Sequence, residues 1–71
     1  MQSTEIIFEI YESPEGGFEA RALGHSIFTE AETLTELRKN VREAVRCHFF
    51  DAEAAPNIIR LHFVRDEVLT T

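Results

Sequence analysis

The chain of 71 residues contains one cysteine, Cys47, two prolines, three glycines and no tryptophan. A single thiol excludes an intramolecular disulfide and fits a reducing compartment, so we expect a cytoplasmic protein. Because no apolar run approaches the roughly 20 residues of a transmembrane helix, we expect no membrane association. A chain this short gains only about 3 to 5 kcal/mol from its core. We therefore predict one domain over residues 1–71 that is further stabilised by self-association.

Basic residues are also scarce: seven Lys and Arg stand against thirteen Asp and Glu, for a net charge of −6. Proteins that bind nucleic acid directly use Lys and Arg to neutralise phosphates, so this composition argues against a DNA or RNA partner. An acidic surface instead suits a basic protein partner.

Alternating apolar and polar side chains predict four strands, at residues 5–11, 18–23, 27–29 and 58–65. Turn-forming residues collect at 13–17, so the first two strands should form a hairpin. Glu9 and Arg21 would then face each other as cross-strand partners.

One amphipathic helix is predicted from Thr33 to Phe50. Thr33 is the expected N-cap, and Glu36 completes a capping box by reaching back to the cap amide. At about 100° per residue, the apolar positions of this helix share one arc. They are Leu34, Leu37, Val41, Ala44, Val45 and His48.

These elements predict an α+β fold in the order β-β-β-α-β, a small and mostly antiparallel sheet with one helix packed on one face. The helix would return the chain by a right-handed crossover, so that the last strand lies beside the first and parallel to it. The predicted core consists of Ile6, Phe8, Ile10, Phe18, Ala20, Ala22, Ile59, Leu61 and Phe63 under Leu34, Leu37, Val41, Ala44 and Val45.

The other face of the sheet has no element to cover it, yet it is half apolar. Open apolar faces and free strand edges invite a partner. We therefore predict a homodimer or a higher homo-oligomer, formed through this face or through the last strand and its tail, Asp66 to Thr71. The candidate interface residues are Ile7, Tyr11, Leu23, Ile58, Arg60, His62 and Val64.

A second candidate surface is a stripe of like charge on one flank of the helix, formed by Arg38, Arg42 and Arg46. Like charges four residues apart mildly destabilise an isolated helix. Two interpretations follow: the stripe is simply solvated, which is the more common case, or it has acidic neighbours from the sheet, from a symmetry mate or from another protein.

The residue types that carry catalysis lack the neighbours that catalysis needs. His25 lies in a turn, His48 in the last turn of the helix and His62 on the open face. None has a second ligand at metal-binding spacing. Ser13 and Ser26 lie in turns without a nucleophile elbow. We predict no catalytic residue, no cofactor and no metal.

Several motifs occur in a familiar order: a Gly16-Gly17 turn, a strand from Phe18, then Gly24 to Glu30, then Glu32 to Leu37 opening a helix that continues as Asn40 to Val45. Over residues 6–65 this order resembles the HicB family of antitoxins. The resemblance implies a fold similar to a truncated ribonuclease H core without its catalytic acids. It also implies dimers or tetramers that neutralise HicA, a small basic toxin ribonuclease. The likeness is to stand-alone single-domain members, which lack the C-terminal DNA-binding domain.

The leading hypothesis is therefore a non-enzymatic, HicB-like binding module that self-associates and sequesters a small basic toxin. The alternative is an orphan small enzyme or an accessory subunit, with His25 or His62 in a site at a subunit interface.

Overall fold

The computed structural model of the chain describes residues 4–49 and 54–71. Its elements are β1 (Glu5–Glu12), β2 (Phe18–Ala22), β3 (Phe28–Ala31), α1 (Leu34–His48) and β4 (Ile58–Val64). The strands lie in the order β3-β2-β1-β4, and only the pair of β1 and β4 is parallel. The predicted α+β fold and the parallel return of the last strand are confirmed. Over the described ranges, no helix is both long and apolar enough to cross a membrane.

The hairpin between β1 and β2 closes through two glycines. The Ser13 amide donates to the Gly17 carbonyl, and the Gly16 amide donates to the Ser13 carbonyl, both at 3.0 Å. Gly16 and Gly17 have φ angles of 100° and 88°, which residues with a Cβ atom rarely adopt. At Gly17 a Cβ atom would also lie 2.9 Å from the carbonyl oxygen of Ala31. The turn therefore packs directly against the end of β3.

Strand register separates a buried side of the sheet from an open one. Phe8 faces Ala22 and Ile10 faces Ala20 across the β1–β2 pair, and all four side chains are buried. Glu9 lies opposite Arg21, as predicted, on the other side. Strands β1, β2 and β4 match their predicted bounds to within one residue at each end.

The third strand occupies Phe28–Ala31 rather than the predicted 27–29. Ile27 precedes it: the Ile27 carbonyl accepts a hydrogen bond from the Ala22 amide at 3.0 Å. The Ile27 side chain is only 7% exposed and belongs to the core. The prediction missed this because three residues are too few to define which face of a strand is buried.

The helix begins as predicted and ends earlier. The Glu36 amide donates to Oγ1 of Thr33 at 3.1 Å. The reciprocal bond differs from the predicted one, because the Thr33 hydroxyl, rather than its backbone amide, donates to Oε1 of Glu36, at 3.4 Å. Phe49 has extended angles of φ −102° and ψ 111° and caps the C-terminus by donating its amide to the Val45 carbonyl. The predicted end at Phe50 was too late, since Phe49 is already non-helical; Phe50 itself lies outside the described residues.

The helix lies over one half of the sheet. Only Glu32 and Thr33 separate β3 from α1, and the side-chain Nδ2 of Asn40 donates to the Glu30 backbone carbonyl at 3.2 Å. These links hold α1 closest to β3 and β2. Strand β4 therefore extends beyond the cover of the helix. The prediction that Phe63 belongs to the core is wrong for this reason: Phe63 is 50% exposed.

The buried core otherwise follows the predicted pattern. Its members among the described residues are Ile6, Phe8, Ile10, Ala20, Ala22, Ile27, Leu37, Val41 and Val45. The half-buried apolar side chains packed against them include Phe18, Leu34, Ala44, Ile59 and Leu61. The helix thus rests on apolar side chains from all of β1, β2 and β4, most completely on those of β1 and β2.

Candidate protein-binding surfaces

The open face is the side of the sheet opposite α1, and it carries all seven candidate interface residues. They are Ile7, Tyr11, Leu23, Ile58, Arg60, His62 and Val64. Leu23 adjoins Ile7, whose carbonyl accepts a hydrogen bond from the Leu23 amide at 2.9 Å. Phe28, opposite Arg21 on β3, adds a further half-exposed ring that sequence analysis did not assign to this face. The surface is therefore broad and mixed in polarity.

An ion pair crosses this face from β4 to β1. Arg60 donates from Nη2 to Oε2 of Glu5 at 2.8 Å and from Nε to Oε1 at 3.1 Å. This bidentate hydrogen bond holds the pKa of the Glu5 carboxyl below its ordinary value and raises the pKa of Arg60. Because both groups are solvent-accessible, the pair fixes the position of Arg60 more than it stabilises the fold.

A second polar pair lies near the centre of the face. The Tyr11 hydroxyl donates to Oε1 of Glu9 at 3.0 Å. This hydrogen bond to a carboxylate raises the pKa of the Tyr11 phenol, because ionisation would place two negative charges side by side. His62 lies opposite Glu9 on β4, so Glu9 is flanked by β4 on one side and by Arg21 of β2 on the other.

An acidic hollow of about 510 Å³ lies where the hairpin turn meets β3 and the start of α1. Five glutamates line this hollow: Glu15, Glu19, Glu30, Glu32 and Glu36. Glu19 and Glu30 face each other across the β2–β3 pair, where like charges repel. Within the described ranges, none of the five is in an ion pair. The hollow therefore retains its negative charge.

A groove runs between α1 and β4 on the helix side of the sheet, where the offset of α1 leaves β4 partly uncovered. This α1–β4 groove has a volume of about 230 Å³ and is lined by Arg38, Val41, Arg42, Ile59 and Leu61. It adjoins a hollow of about 420 Å³ whose lining includes Arg42, Val45 and Arg46. The predicted arginine stripe thus borders an apolar floor. In residues 4–49 and 54–71 these arginines form no ion pair, so the sheet does not supply their acidic neighbours.

The segment after β4, residues 65–71, continues without a turn or bend. Asp66 still lies beside the main body, at a hollow that Pro14 also lines. Val68 and Leu69 are 87% and 83% exposed. Two adjacent aliphatic side chains are therefore almost fully hydrated, although burying each is favourable by about 1.5 to 3 kcal/mol.

The histidines do not form one site. The ring of His25 packs edge-on against His48, with centroids 5.7 Å apart, and against Phe49 at 5.4 Å. His48 was predicted to lie in the apolar arc of the helix, but its side chain is exposed. Its ring packs on Phe49, with centroids 5.0 Å apart, and the three rings form an aromatic cluster at the end of the helix. His62 lies on the open face instead. Among the described residues, no three His, Cys, Asp or Glu side chains are grouped to hold a metal ion.

Two features of these surfaces follow from sequence patterns that the prediction did not combine. The acidic hollow gathers glutamates that are distant in the sequence, and the pairing of β2 with β3, in which Phe18 faces Ala31, brings the hairpin turn beside the end of β3. The α1–β4 groove exists because a connection of two residues holds α1 towards β3. The shortness of that connection is visible in the sequence and was the available signal.

Comparisons with known proteins place the chain in a family. It is 40% identical to a UPF0150 protein of Thermotoga maritima over 62 residues, which cover 87% of this chain and 86% of the relative. It is 52% identical to a UPF0150 protein of Archaeoglobus fulgidus over 48 residues, 68% of this chain and 71% of the relative. No family model matches the chain. No solved structure matches it either. On the strength of these two relatives, the chain belongs to the UPF0150 family.

Proposed function

We propose that this UPF0150 chain is a non-enzymatic, self-associating protein-binding module of the HicB type, which acts as an antitoxin by sequestering a small basic HicA-type toxin ribonuclease. The observation that carries the proposal is the acidic hollow. Glu19 and Glu30 face each other across the β2–β3 pair, where like charges repel, and within the described residues none of the five glutamates is in an ion pair. A cationic protein that docks there relieves this repulsion.

The open face supports the same proposal, because it borders the hollow. Tyr11 lies opposite Glu19 on β2, and Glu19 lies opposite Glu30 on β3. A partner seated on the hollow therefore adjoins the end of the open face at Tyr11 and Val64, whereas Leu23 and Ile58 lie towards its opposite end. An apolar centre with a charged rim is the usual composition of a protein–protein interface.

The direct test is whether a small basic protein is encoded beside the gene and, if so, whether the purified chain binds it in titration calorimetry at low and high salt. We expect a complex that weakens as salt rises, and we expect co-expression of this chain to restore growth to cells that produce the basic protein. Absence of binding at low salt would remove the antitoxin proposal.

The site is tested by removing two carboxylates of the hollow. The double substitution Glu30→Gln and Glu32→Gln should weaken binding about 5- to 30-fold, as expected for two interface charges of about 0.5 to 1 kcal/mol each. Glu12→Gln with Glu43→Gln is the matched control, since both residues are exposed and lie outside the hollow. Equal losses in the two variants would indicate a general charge effect and contradict a site at the hollow.

A further inference from the structure

We propose that the α1–β4 groove binds the segment 66–71 of a second copy of this chain, and that reciprocal exchange of this segment forms a dimer. The inference rests on the self-association included in the proposed function and names the surface and the occupant. It assigns the helix side of the sheet to self-association and leaves the open face to the basic partner.

Charge is the first argument for this occupant. The groove has a rim of arginines, Arg38 and Arg42, which the described chain leaves without ion pairs. The segment contributes two adjacent acidic residues, Asp66 and Glu67, both exposed. In a chain with a net charge of −6, few surfaces attract an acidic segment, and this stripe is one of them.

Apolar surface is the second argument. The groove floor presents the half-buried side chains of Ile59 and Leu61 beside the buried Val41. Directly after the two acidic residues come Val68 and Leu69, the most exposed large apolar side chains described. Seating this pair on the floor removes both apolar surfaces from water at once. The order of acidic and aliphatic residues in the segment thus matches the rim and floor of the groove.

Chain direction is the third argument, and it favours a second copy over the same chain. The groove runs along β4 itself, so a segment that follows β4 must reverse direction to enter it. Of the residue types that dominate tight turns, residues 65–71 contain only Asp66 and no glycine, proline, asparagine or serine. The segment also shows no turn or bend in the structure. Seven extended residues reach roughly 23 Å, enough to enter the groove of a neighbour. A two-fold axis then fills both grooves and closes the assembly.

The test is the molar mass in solution, by light scattering across the micromolar range. The intact chain should have about twice its monomer mass of 8.2 kDa. Val68→Ser with Leu69→Ser should shift it to monomer, with an unchanged circular dichroism spectrum because both side chains are exposed. The matched control is Leu23→Ser with Ile58→Ser, which removes two exposed aliphatic groups from the open face and should leave the dimer intact.

Charge reversal tests the pairing itself. Arg38→Glu with Arg42→Glu should weaken dimerisation about 10- to 100-fold, since the exchange repeats each ion pair twice. Asp66→Lys with Glu67→Lys should do the same. Mixing the two variants should restore a heterodimer. The charge-reversed groove then meets the charge-reversed segment, and the unchanged groove meets the unchanged segment, so both contacts pair opposite charges.

Cross-linking between two differently labelled chains identifies the contact. In a Cys47→Ser background, Leu69→Cys in one chain should link to Leu61→Cys in the other through a short bismaleimide, and should not link to Leu23→Cys. A dimer that survives the Val68 and Leu69 substitutions would overturn this inference while leaving self-association standing. A monomeric intact chain would overturn both, and neither result would bear on binding of the basic partner at the hollow.

Discussion

Gly17 gives a sharp test of how the hairpin turn is fixed on β3. An added Cβ atom would lie 2.9 Å from the backbone oxygen of Ala31, and backbone cannot swing aside as a flexible side chain can. The φ angle of 88° adds a second cost, of about 1 to 2 kcal/mol for a residue with a Cβ atom. Gly17→Ala therefore combines a conformational cost with a steric one.

Gly16 separates the two costs. It has a φ angle of 100°, and a Cβ atom there would meet nothing within 4 Å. Gly16→Ala should cost only the conformational term, about 1 to 2 kcal/mol. Gly17→Ala should cost about 1 to 3 kcal/mol more, the usual penalty for forcing atoms into a packed site. Against a total stability of about 4 to 10 kcal/mol for a chain of this size, the difference is easily measured.

The measurement is urea unfolding followed by circular dichroism, with all variants at one protein concentration because self-association raises apparent stability. In a parallel thermal unfolding experiment, the midpoints of Gly17→Ala and Gly16→Ala should differ by at least about 4 °C. Gly24→Ala is a second control, since Gly24 also has a positive φ and open surroundings. Equal destabilisation of all three variants would refute the contact between the turn and β3.

Two further predictions concern the helix cap and the open face. Thr33→Ala should destabilise the protein by about 1 kcal/mol and Thr33→Ser by much less, because serine retains the oxygen that accepts from the Glu36 amide; equal losses in urea unfolding would contradict the cap. Tyr11 is the only tyrosine, so its ionisation can be followed by ultraviolet absorbance, and Glu9→Gln should lower its raised pKa towards the ordinary value while Glu12→Gln should not. Since the folded-state pKa of Tyr11 is raised, its contribution to stability is present below the unfolded pKa and is lost as pH rises through the folded one.

The sequence predicted those parts of the fold that repeat a local pattern. Alternation located β1, β2 and β4, and the arc of Leu37, Val41 and Val45 identified the buried side of the helix. Capping was readable because Thr33 and Glu36 are three residues apart. In each of these cases the relevant residues are close in the chain. A single local pattern, either the strand or helix periodicity or the three-residue capping spacing, is therefore enough to predict the structure.

The errors arise where position depends on a distant element. Phe63 continues the alternation of β4 and pairs with buried Ile10, yet it is half exposed because α1 does not reach it. Ile27 is buried outside any strand because its carbonyl bonds to Ala22. The lateral placement of a helix on a sheet is set by connection length and packing, neither of which appears in a periodicity.

That lateral placement links the core to the surfaces. Because two residues join β3 to α1, the helix lies towards the β3 side of the sheet. It covers the inner side chains of β1 and β2 and leaves Ile59, Leu61 and Phe63 at a partly open edge. The same placement turns Arg38 and Arg42 towards this edge, away from the glutamates around the hairpin turn. A single short connection therefore separates the exposed charge into an acidic end and a cationic, apolar groove. Two partners of opposite charge can then bind the chain without competing for one surface, and each should show its own dependence on salt.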